Sequence, residues 1–134
     1  MIRSLVLAIP LVLLAAPALA GDEDNTDCAK AITQNDMNIC ADKDYQAADK
    51  KLNDVYRQVM AALDDAGYQA KLKIAEKAWL QYRDTECTFE VAQNEGGTIY
   101  PLVYSGCVTR LTDARTKELR AYLACWKNAD KCGG

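Results

Sequence analysis

Apolar residues recur at every third or fourth position in three separate segments, a spacing that restricts the chain to helices burying one face each. In residues 33–65 the stripe is Met37, Ala41, Ala48, Leu52, Val55, Val59 and Leu63. Thr33 followed by Asp36 makes a capping box with a shortened acidic partner. Asp64-Asp65-Ala66-Gly67 marks the end of this helix, with Gly67 suited to the left-handed position after a helix. A segment of about thirty residues spans ~45 Å at 1.5 Å per residue. Residues 68–94 carry Leu72, Ala75, Trp79, Tyr82 and Phe89, and the pattern stops at Gly96-Gly97. The third segment starts near Pro101, a residue suited to the first helical position, and continues through Tyr104, Val108, Leu111, Leu119, Tyr122 and Trp126. No stretch alternates with period two long enough to compete as a strand. The short links at 64–67 and 95–100 make consecutive helices antiparallel. The expected architecture is all-α: a three-helix up-down-up bundle with an N-terminal segment, Gly21 to Ile32, tied on.

Residues 1–20 read as a secretory signal peptide. Arg3 supplies the positive start, Leu5 to Ala16 is apolar apart from Pro10, and Ala18-Leu19-Ala20 is a small-x-small cleavage site. A membrane anchor needs about 20 uninterrupted apolar residues, and this run is shorter. Gly21 stands where a lipid-bearing cysteine would follow cleavage. The expectation is an exported domain over 21–134, periplasmic or secreted, without a membrane anchor once the leader is removed.

The six cysteines all lie beyond the leader: Cys28, Cys40, Cys87, Cys107, Cys125 and Cys132. An even number in a small exported chain points to disulfides. Zinc would want closer pairs such as C-x-x-C, whereas the tightest spacing is Cys125-x6-Cys132. No metal or other cofactor is therefore expected. In an up-down-up bundle Cys28, Cys40, Cys87 and Cys107 fall towards one end, and Cys125 and Cys132 towards the other. Four cysteines at one end leave three pairings. The expected set is Cys28–Cys87, Cys40–Cys107 and Cys125–Cys132, each worth ~2–4 kcal/mol to a core that is small for a free-standing domain.

Several strings occur in register with these cysteines: Thr33-Gln34-x-Asp36-Met37-Asn38-x-Cys40-Ala41, then Ala48-Asp49-x-x-Leu52-Asn53-x-x-Tyr56, then Ala78-Trp79-x-x-Tyr82-Arg83-Asp84-x-x-Cys87. Gly96-Gly97, Tyr104-x-x-Cys107 and Leu111-Thr112-x-x-Arg115-x-x-x-Leu119 follow. This ordered set resembles the LprI-like lysozyme-inhibitor family over roughly residues 28–122. The resemblance implies a secreted or periplasmic all-α domain and, for the family's namesake, inhibition of lysozyme. Gly21 departs from the lipoprotein form of the namesake, and the Cys125/Cys132 tail lies outside the shared pattern.

The chain has no histidine, which removes Ser/His and Cys/His nucleophile pairs and His-ligated metals. Its net charge of −3 lacks the basic footprint of a nucleic-acid binder. Glu86 and Glu90 stand at i,i+4, a spacing that lets two carboxylates face one cleft as glycosidases require, but such pairs are ordinary on solvated helices. Ser105, the only serine after the leader, has no histidine to activate it. Catalysis is not expected. Trp79, Tyr82, Arg83 and Asp84 admit two readings, a recognition patch or a core tryptophan beside an arginine bonded across to Asn53 or Asn38. The second is preferred because aromatic stripes at helical spacing usually mean core. Thr112 and Arg115 are likewise assigned to an inter-helix polar network.

The candidate partner-binding residues are Glu95, Gly96, Gly97, Thr98 and Tyr100, in the link before the third helix. They read either as a helix stop or as a glycine-flexed loop entering a partner's cleft. Acidic residues at Asp22, Glu23, Asp24, Asp27, Asp64 and Asp65 read first as a solvated tail and turn; the alternative is that they steer the chain towards a cationic lysozyme, the partner that the resemblance implies. The rival function is a non-catalytic envelope module that binds another protein or a cell-wall component.

Overall fold

The computed structural model describes residues 26–128. The expected signal peptide and Cys132 lie outside them. Three long helices make up the domain: α1 (Gln34–Ala62), α2 (Ala66–Glu90) and α3 (Tyr100–Lys127). Short 3-10 turns at Cys28–Lys30 and Ala92–Asn94 precede α1 and α3. The helices form because each carries a partial apolar face and few breakers. Their ends are set by side chains. Thr33 Oγ1 accepts from the Asp36 N–H at 3.1 Å, and Asp65 Oδ1 accepts from the Tyr68 N–H at 2.9 Å. The second cap overturns the expectation for Gly67. Because Asp65 starts α2 immediately after a two-residue extended link, Gly67 falls inside the first turn, and Gly96 is the glycine with positive φ among the described residues.

The expected up-down-up order holds. Asn38 near the start of α1 reaches Thr98 before α3, and Cys87 late in α2 is bonded to Cys107 early in α3. At the other end Tyr68 of α2 packs on Trp126 of α3 at 5.0 Å between ring centroids. Parallel α1 and α3 form the most extensive packing, α2 meets α3 over a shorter stretch, and α2 stands off from α1. One apolar cluster joins Leu52, Val55, Val59 and Leu63 to Leu119; a second surrounds Cys87, Cys107 and Val108.

Two disulfides replace the expected pairings of the first four cysteines. The bonds are Cys28–Cys40 and Cys87–Cys107, each with Cα atoms 5.6 Å apart, and not Cys28–Cys87 or Cys40–Cys107. All four do lie towards one end, but chain neighbours meet first. The 3-10 turn lays Cys28 on the second turn of α1, and the α2–α3 hairpin sets Cys87 beside the second turn of α3. These local closures span 12 and 20 residues, and shorter loops cost less entropy to close. Cys125 is also disulfide-bonded.

The inward face of α2 is also not the one its apolar spacing suggests. Tyr82 and Phe89 are 52 % and 78 % exposed, whereas Glu76, Arg83 and Cys87 are buried. Leu72 and Trp79 belong to both lines and pack against the first cluster. The true inward line, 72-76-79-83-87, is hidden from a hydrophobicity pattern because two of its members are charged.

Candidate functional site

The α2–α3 link is a built structure. The Val91 N–H closes α2 on the Cys87 carbonyl at 3.2 Å, and the Gly97 N–H donates to the Asn94 carbonyl at 2.9 Å. Gly96 between them has φ +75°, a conformation that suits glycine. The Tyr100 N–H then donates to the Gly97 carbonyl at 3.1 Å, and Pro101 occupies the first turn of α3. From across the bundle, Asn38 Nδ2 donates to the Thr98 carbonyl at 2.9 Å while accepting from Gln34 Nε2 at 2.9 Å. An amide pair on α1 thereby pins the tip of the link.

The structure brings Glu95, Gly96, Gly97 and Thr98 together as an exposed tip. Tyr100 is only half exposed, and its ring lies parallel to that of Tyr104 at 5.9 Å. Burial pushes the Tyr104 phenol above its usual pKa, and the nearby Asp84 carboxylate adds to the rise. Below the tip, Arg110 of α3 bonds Glu90 of α2 at 2.5 Å. Glu90 is thus committed to an ion pair rather than facing Glu86 across a cleft. Ser105 is buried in α3. Replacing Gly96 by Ala is expected to cost about 1–2 kcal/mol, the penalty for an L-residue in the left-handed region. A Cβ there meets no atom within 4 Å, so the loss is one of backbone alone and Gly96→Asn should recover part of it in urea melts.

A second polar constellation runs through the middle of the bundle. Arg83 on α2 lies with its guanidinium carbon 5.3 Å from the Tyr45 ring centroid and 5.4 Å from that of Trp79. Its Nη1 donates to Thr112 Oγ1 at 3.4 Å and stands 3.7 Å from Asp49, while Asp84 accepts at 2.8 Å. The arginine therefore bonds across to both neighbouring helices, through Asp49 and Thr112 rather than through Asn38. Asn53 takes part at one remove, donating to Asp49 Oδ2 at 2.8 Å.

One turn along, Arg115 of α3 donates to buried Glu76 at 2.5 and 2.9 Å and to Glu118 at 2.6 Å. Burial opposes the Arg115 charge, but the hydrogen bonds to Glu76 and Glu118 outweigh it and raise the guanidinium pKa. Neither Glu76 nor Tyr45 is among the residues singled out from the sequence, and only Tyr45 carries a spacing signal. Glu76 lies 39 residues from its partner, whereas Tyr45 stands at stripe spacing, four residues after Ala41 and three before Ala48.

These features define a small disulfide-stapled helical domain with a polar seam and a pinned loop at one end. The chain belongs to the LprI lysozyme inhibitor family, whose profile matches residues 26–119. It is 38 % identical to an uncharacterized protein of Rhizobium meliloti (strain 1021) over 133 residues, covering 90 % of this chain and 96 % of the relative. A crystal structure of a DUF1311 family protein from Pseudomonas putida KT2440 matches with a TM-score of 0.64 at 28 % identity, covering 69 % of this chain and 95 % of that one. Among the described residues no helix is long and apolar enough to cross a membrane. The disulfides fit an oxidising, extracytoplasmic compartment.

Proposed function

We propose that this chain is an exported, non-catalytic protein that binds a lysozyme and blocks its glycan cleft with the 95–100 loop. Family membership over residues 26–119 is the observation that carries the reading. The loop geometry supports it. A tip held by Asn38 and flanked by the Cys87–Cys107 bridge loses little freedom on docking, and preorganisation of that kind lowers the cost of binding. The net charge of −3 favours encounter with a cationic enzyme.

The test is titration of purified mature protein against c-type and g-type lysozymes while following lysis of a cell-wall substrate. Stoichiometric inhibition that weakens with salt is expected, and the paired change Glu95→Ala, Tyr100→Ala should raise the inhibitory concentration about tenfold or more. Lysis kinetics unaltered at molar excess would discard the reading. The half-buried Tyr100, stacked on Tyr104, favours a second reading: an envelope module that binds a different protein through the remaining loop residues. One stable non-lysozyme partner recovered from periplasm, together with no inhibition, would select it.

A further inference from the structure

We propose that the groove between α1 and α2 is a binding site for a small carboxylated saccharide, separate from the loop and independent of the lysozyme reading. The groove exists because α2 stands off from α1; it is an open cleft of about 540 Å³, within the usual size of small-ligand sites. Leu52 and Tyr56 of α1 and Leu80 of α2 give it an apolar strip. Leu80 is 40 % exposed on the wall of the groove, whereas Leu52 belongs to the first apolar cluster and forms its floor.

The charges are what define the ligand. Asp49 and Glu76 line the groove, but each is already engaged by an arginine, Asp49 with Arg83 and Glu76 with Arg115. Lys73 and Lys77, one turn apart on α2, line the same groove and form no ion pair among the described residues. Each arginine also serves a second carboxylate, Asp84 or Glu118, so the groove has no net positive charge, and Lys73 and Lys77 stand out as the ammonium groups that no carboxylate of the described residues holds. Each ammonium brings three donors and no acceptor. The opposite wall offers the complement. The Asn53 amide spends its N–H groups on Asp49, leaving its oxygen to accept, and the Tyr56 hydroxyl makes no hydrogen bond among the described residues.

Cationic donors on one side, neutral hydroxyl-matching groups on the other and an apolar strip between them suit a sugar ring bearing a carboxylate. A phosphate would look instead for backbone N–H groups at a helix start or a guanidinium fork. Here both walls are mid-helix, where backbone donors are already used, and both arginines are occupied. The carboxylate sits against Lys73 and Lys77, the apolar face of the ring against Tyr56 and Leu80, and the hydroxyls against Asn53 and Tyr56.

The experiment is an NMR titration of the oxidised protein with three disaccharides at millimolar concentration. They are N-acetylglucosaminyl-N-acetylmuramic acid, a glucuronic-acid-containing disaccharide and neutral diacetylchitobiose. At least one acidic sugar should shift α1 and α2 groove resonances and bind at least tenfold more tightly than the neutral one. Shifts with the muramic acid probe alone identify a cell-wall source, and shifts with the glucuronic probe alone identify a uronic-acid glycan. The double variant Lys73→Gln, Lys77→Gln should lose the preference for the acidic sugar about tenfold while keeping its melting temperature. The proposal is overturned if neither acidic sugar moves the groove resonances, if the neutral sugar binds equally, or if the double variant binds as well as the parent. The same variant tested against lysozyme keeps the two readings apart, since the inhibitory loop lies at the end of the bundle.

Discussion

Replacing Glu76 by Ala should lower the unfolding free energy by about 3–5 kcal/mol, the cost of leaving a buried charge without its partner. Glu76 and Arg115 expose only 12 % and 10 % of their side chains, so water cannot take over the lost contact without opening the helix interface. The orphaned guanidinium would keep Glu118, which is more than half exposed and screened. The companion Glu76→Leu, Arg115→Met pair should recover most of the loss, because an apolar pair of similar size removes both desolvation costs. Urea denaturation of the parent, Glu76→Leu, Arg115→Met and the double variant gives the cycle directly. A Glu76→Ala loss below about 1 kcal/mol would show that the pair is solvated like a surface salt bridge.

Removing the Cys87–Cys107 bridge by Cys87→Ser, Cys107→Ser should cost about 3 kcal/mol from the loop of 20 residues it closes. The effect should exceed that of Cys28→Ser, Cys40→Ser, where the closed loop is 12 residues and Cys28 is exposed on a peripheral turn. It should also reach the loop. The two cysteines bracket residues 91–100, and Cys87 is fully buried in the second apolar cluster together with Cys107 and Val108. Guanidinium melts of the two double variants, compared with the parent, rank the bridges; equal losses would contradict the assignment of the main staple to α2 and α3.

Much of this architecture was legible because α1 and α3 follow the ordinary rule of apolar stripes. Leu52, Val55, Val59 and Leu119 were placed by spacing and form the first cluster. Thr33 was read correctly as a cap because the cap is a local, side-chain-to-backbone event. Helix α2 was misread for the complementary reason. Arg83 was expected to bond across to a neighbouring helix and does so, but Glu76 also faces inward, and its burial depends on a partner 39 residues away that no local window contains. Tyr82 and Phe89 then looked like the buried line although they face out. The disulfides divide along the same boundary. The end of the bundle at which four cysteines gather follows from helix order, whereas the choice among pairings depends on which helix ends touch. At the candidate loop, the glycines were legible as a break, but the clamp from Gln34 and Asn38 was not, since it is a contact between chain segments 60 residues apart.

The preference of α1 for α3 has a temporal corollary. The helix that completes the main apolar interface follows both others in the chain, so Leu52, Val55 and Val59 have no Leu119 to pack on until α3 has been synthesised. Contacts of such long sequence separation slow folding, because the intervening segment must be ordered before they give any return. Until α3 is made, the apolar face of α1 is left without its main cover.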